Sequence, residues 1–127
     1  MRIIILLILV AFALNGHSQD KQKDSLLLLI ETSTDQNEKA ILYARLSKFY
    51  ENSNVNSAIY YAKKGFELSK SSNYRIGSAE NAANLGYYYI LKNDLDSARI
   101  NYSRAKQYYS ETDSLLQYTH NTMRLGN

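Results

Sequence analysis

The feature that most constrains this chain is an internal period. Leu85-Gly86 recurs 40 residues later as Leu125-Gly126, Ala58 recurs as Ala98, and Gly65 is matched by Ala105. A fixed period of this size marks stacked supersecondary units, each of which buries its apolar face only against a neighbour. Such an array builds a long surface rather than one central pocket, so the period points to binding rather than catalysis. Leu125-Gly126-Asn127 open a third unit.

The apolar spacing within each period is helical. Leu42, Leu46, Phe49 and Tyr50 share one face, as do Ala58, Ala62, Gly65 and Ser69. Ala79, Ala82, Gly86 and Tyr89 align next, then Leu95, Ala98, Tyr102, Ala105 and Tyr109. Polar breaks fall at Asn52-Ser53-Asn54, Ser71-Ser72-Asn73, Asn93-Asp94 and Thr112-Asp113. Asparagine tolerates the left-handed backbone that ends a helix, and a following Asp or Asn caps the next one. The chain has no proline to interrupt a helix. The pattern predicts an all-α fold: five or six helices in antiparallel hairpins, forming a right-handed solenoid of about two and a half repeats plus a leading helix. Units are expected over 38–72, 73–112 and, incompletely, 113–127.

The N-terminus is different. Arg2 precedes the unbroken apolar run Ile3–Leu14, and Asn15-Gly16-His17-Ser18 lead into Gln19. A basic start, an apolar core of this length and the small residues Gly16 and Ser18 describe a secretory signal peptide over 1–18. A retained anchor would need about 20 apolar residues, and the run is shorter. Residues 19–37 then form a leader and a short capping helix. The run Leu26–Ile30 suits a buried strand or a buried helix turn; leucine's helix propensity, with Asp24 or Ser25 as N-cap, selects a helix over about 24–33.

Composition narrows the function classes. The net charge is +3, from 15 basic and 12 acidic residues, and the basic residues are scattered, with Lys63-Lys64 the nearest approach to a cluster. A nucleic-acid interface needs a concentrated basic face. There is no cysteine, hence no disulfide or thiolate metal site. His120 stands alone after the leader, without the partners that zinc requires. Ser110 and Ser114 lack a base, Asp94 and Asp96 flank a turn as capping residues, and the five glycines are isolated rather than grouped in a phosphate loop. No catalytic residue, cofactor or metal is therefore expected, and no enzyme.

The second unit, Leu85-Gly86, Tyr89, Ala98, Tyr102 and Ala105 with Asn93-Asp94 at the turn, resembles the tetratricopeptide repeat (TPR). Ala82 stands where that family usually has tryptophan, and Ser110 where it closes on proline. The first unit reads Leu46-Ser47, Tyr50, Ala58, Ala62, Gly65, one residue shorter at its turn. A 40-residue period against the usual ~34 corresponds to the long-repeat subgroup. The resemblance implies that early alanines and the Leu-Gly pair let helices approach closely. It also implies a concave groove lined by the first helices: Ala44, Lys48, Glu51 and Asn52 in unit one, then Ala83, Tyr87, Ile90 and Leu91 in unit two. Apolar and aromatic residues there disfavour a chaperone C-terminal carboxylate and favour an extended peptide or partner helix with apolar anchors.

An apolar leader, a leucine-rich first helix and long tyrosine-rich repeats are also similar to the extracytoplasmic N-terminal repeat region of bacterial signalling proteins. On that likeness the chain is an exported interaction scaffold at the front of such a protein. The alternative is a free-standing periplasmic or secreted adaptor that forms a homodimer through its open C-terminal repeat. The likeness implies a protein or peptide partner, no nucleic acid, and membrane contact only through the leader or a downstream part. The 12 tyrosines include the runs Tyr60-Tyr61, Tyr87-Tyr88-Tyr89 and Tyr108-Tyr109. Helical spacing assigns Tyr89 and Tyr109 to the core and turns Tyr87 and Tyr88 toward the groove or the neighbouring repeat.

Overall fold

The computed structural model describes residues 1–112, and these are all-helical, with no strand. Five helices follow one another: α1 (Arg2–Thr32), α2 (Gln36–Tyr50), α3 (Val55–Ser71), α4 (Arg75–Leu91) and α5 (Leu95–Ser110). Each packs on its neighbour in sequence, and α2 also reaches α4. The third unit, including Leu125 and Gly126, lies outside the described residues.

Turn chemistry sets the helix ends. Asn73 and Asn93 adopt φ of 54° and 59°, the left-handed conformation expected of them. After each, a backbone N–H reaches back five residues: Tyr74 to Ser69 O at 2.7 Å and Asp94 to Tyr89 O at 2.9 Å. The α2–α3 connection has no positive-φ residue and closes instead through the Asn54 N–H on Tyr50 O at 2.8 Å. The residue by which unit one is shorter is thus its left-handed asparagine. Asp35, Asn54 and Asp94 cap α2, α3 and α5 by accepting from backbone N–H groups two or three residues on.

Two clusters form the core. The larger joins α3, α4 and α5 through Ala58, Ala62, Phe66, Ala79, Ala82, Leu85, Tyr88, Ala105 and Tyr109. The smaller seats Leu26 and Ile30 of α1 on Leu42 and Leu46 of α2. Between α2 and α4 the contact is polar: Tyr88 Oη and Ser47 Oγ hydrogen-bond at 3.0 Å, and Asn81 Nδ2 donates to Ala40 O at 3.2 Å. Both bonds join residues 41 apart, one repeat length plus one residue.

Three expectations change. The helix predicted over 24–33 is the last part of α1, which runs unbroken from Arg2, so Asp24 and Ser25 are interior rather than capping. A single Gly16 costs a helix only about 1 kcal/mol, too little to break it without proline. Of Leu26–Ile30 only Leu26 and Ile30 are buried, because α1 docks along one edge and leaves Leu28 and Leu29 exposed. By length and composition α1 is sufficient to cross a membrane, a test that a signal sequence also meets. Finally, Tyr88 takes the second of the two directions expected of it, toward α2, where it bonds Ser47, and in doing so it is buried more completely than Tyr89. Tyr88 is 0% exposed, while Tyr89 is half-buried with the Lys63 ammonium 6.0 Å from its ring. The α4 helix packs on α2, α3 and α5, so its buried arc is too wide for periodicity to choose among three consecutive tyrosines.

Candidate binding surface

The signature residues lie where helices approach most closely. Leu46, Ala58, Gly65, Leu85, Gly86, Ala98, Tyr102 and Ala105 are all buried; Tyr50 and Tyr89 are half-buried. A Cβ added at Gly86 would stand 2.8 Å from the Tyr102 ring, and one at Gly65 would run into the Asn81 amide. Only glycine lets α4 meet α5, and α3 meet α4, at these points.

The groove candidates separate into two groups. Lys48 and Asn52 are exposed and line a depression of about 690 Å³ between α1 and α2, with Gln19, Gln22, Arg45 and Phe49. Glu51 is half-buried. Lys48 also approaches Glu80 of α4 at 4.0 Å, a long, exposed ion pair of little energetic weight. Tyr87 is half-buried, whereas Ile90 and Leu91 are 41% and 46% exposed at the end of α4. Tyr87, Ile90 and Leu91 do not line the depression that holds Lys48 and Asn52. Ala44 and Ala83 are buried and offer no surface. Ala44 lies between Ala40 and Ser47 on the face of α2 that hydrogen-bonds α4, and Ala83 belongs to the larger cluster.

A second surface brings the Tyr60 and Lys63-Lys64 runs of α3 against residues of α2. Gln36, Lys39 and Tyr43 of α2 and Tyr60, Lys63, Lys64 and Glu67 of α3 line a depression of about 710 Å³. Its rings are fixed by stacking. Tyr61 lies nearly parallel to Tyr50 (5.6 Å, 15°) and Tyr43 (6.3 Å, 18°), and Tyr60 meets its edge at 5.1 Å. The Lys64 ammonium sits 4.9 Å from the Tyr60 ring centre and 5.9 Å from that of Tyr43. Hydrogen bonding to Tyr60, then the nearby Tyr43 hydroxyl, holds the Lys64 ammonium above its ordinary range; burial chiefly raises Tyr61. The spacing 36, 39, 43 on one helix against 60, 63, 64, 67 on the next carries this signal, but only once the register between the helices is known.

The chain matches no family model, and no curated protein is similar to it.

Proposed function

We propose that this chain is a non-catalytic protein–protein interaction scaffold, a right-handed TPR-like solenoid of antiparallel hairpins. It is exported, and it forms the extracytoplasmic N-terminal part of a bacterial signalling protein. The observation that carries the repeat reading is the pair of hydrogen bonds from α2 to α4 across 41 residues. It supports α4 occupying, in one unit, the place that α2 occupies in the unit before. The buried Leu85-Gly86 pair and the early alanines Ala58 and Ala98 support the same arrangement. The apolar α1 supports passage into or across a membrane. For the partner, the exposed Ile90 and Leu91 provide apolar anchors of the kind that hold a peptide or helix.

The test is fractionation of the native host with an antibody to residues 40–110, followed by intact mass. A membrane-bound extracytoplasmic species much larger than this chain is the expected result. A secreted species of the mass of residues 19–127 would refute the signalling assignment in favour of a free-standing adaptor, and a cytoplasmic species would refute export. The groove reading has its own check. The combined Ile90→Ser and Leu91→Ser substitutions are expected to abolish partner capture, and unchanged capture would remove those residues from the site.

A further inference from the structure

We propose that the depression between α2 and α3 is a second docking surface, built for an acidic peptide segment. This deepens the scaffold reading and rests on it. Lys39, Lys63 and Lys64 line one concavity that holds a single carboxylate, Glu67, with the Lys63 ammonium also within 6.0 Å of the Tyr89 ring. Among the described residues the ion pairs are Lys48–Glu80 and Arg75–Glu111, so these three lysines have no acidic partner within 4.0 Å. α1 seats on Leu42 and Leu46, with Tyr43 packed against that contact, while Tyr60 stays 54% exposed.

Charge and shape together select the occupant. Carboxylates pair with the lysines, and an apolar side chain packs on the part of the Tyr60 ring that stays exposed, since the Lys64 ammonium already lies over both the Tyr43 and Tyr60 rings. Those two rings are already held by the Tyr43–Tyr61–Tyr50 stack and the Tyr60–Tyr61 edge contact, so little side-chain freedom is lost on binding. An anionic lipid surface would meet the same charges, but it requires a protruding rather than a concave basic face, and the rings lie within the depression.

The probe is a fluorescein-labelled peptide, Glu-Glu-Leu-Glu-Glu-Leu, titrated by anisotropy against the full chain in a neutral detergent. A matching peptide with Gln for Glu is the control. The glutamate peptide is expected to bind, more weakly at high salt, and the glutamine peptide not to. Lys63→Gln with Lys64→Gln is expected to weaken binding by about tenfold or more, and Tyr60→Ala to weaken it as well. Leu91→Asp is expected to leave it unchanged. These positions are exposed, and helicity by circular dichroism confirms that each variant is folded. Equal binding of both peptides, or wild-type binding by the lysine variant, would overturn the proposal. So would a lysine-dependent preference for phosphatidylglycerol over phosphatidylcholine vesicles without peptide binding. Loss of binding in Leu91→Asp alone would also overturn it while leaving the scaffold reading intact, because the peptide would then occupy the α4 groove.

Discussion

Substituting Gly86 by alanine sets two opposing effects against each other. In a helix interior alanine is favoured over glycine by about 1 kcal/mol, so an open site would be stabilised. Gly86 is not open. The new methyl would stand 2.8 Å from Cγ and Cδ1 and 2.9 Å from Cδ2 of Tyr102. These are the root atoms of a buried ring rather than the tip of a flexible chain, so the ring or the whole of α5 must shift. Overpacking of this kind costs about 1–3 kcal/mol, leaving a net loss near 1 kcal/mol. For a domain of this size that lowers Tm by about 4–8 °C, read from helical circular dichroism of the full chain in a neutral detergent. A second arm isolates the cause. In a Tyr102→Ala background the clash is gone, and Gly86→Ala is expected to raise Tm through helix propensity alone. A rise in Tm in the otherwise unaltered chain would refute the close approach of α4 and α5, and an unchanged sign in the second background would refute Tyr102 as its cause.

Tyr88→Phe removes the hydroxyl that bonds Ser47 across α2 and α4, and is expected to cost about 1 kcal/mol. Ser47→Ala in the same double-mutant cycle is expected to show coupling between the two; strictly additive losses in Tm would mean that the bond does not form. Gly65→Ala would displace the Asn81 amide from Ala40 O and Gly77 O and is expected to lower Tm, whereas an increase would contradict that packing. Asp94 caps α5, and hydrogen bonding to Ser97, first through its side chain and then its backbone, holds its carboxyl below the ordinary value of 3.8. Its ionised form therefore stabilises the fold above that value, and the contribution is lost as pH falls through the lower folded value. The Tm advantage of the parent chain over Asp94→Asn is expected to shrink on acidification, and one that grows would reverse the assignment.

Much of the architecture was legible because it rests on local chemistry. The asparagine turns at Asn73 and Asn93, the caps at Asn54 and Asp94, and the small residues at helix contacts each follow from one position and its steric demand. What depended on contact between distant helices was not legible. The choice of Tyr88 over Tyr89, and the burial of Ala44 and Ala83, follow from α4 being packed by three neighbours. The length of α1 escaped because a leader read by its targeting pattern was set apart from the helix that it physically continues. The Tyr43–Tyr60–Lys64 cluster escaped for the opposite reason. Tyr60-Tyr61 and Lys63-Lys64 stand out as runs along the chain and Tyr43 does not, while the site exists only across two helices.

On the proposed function, the chain acts by holding a protein partner on its helical face. The most direct measurement places the photo-crosslinker p-benzoylphenylalanine at Leu91, with a control at the exposed Gln107 of α5, in the full-length protein in its own host. Irradiation is expected to give one discrete protein adduct from Leu91 and none from Gln107. No adduct at Leu91, or an adduct pattern identical at both positions, would contradict the claim.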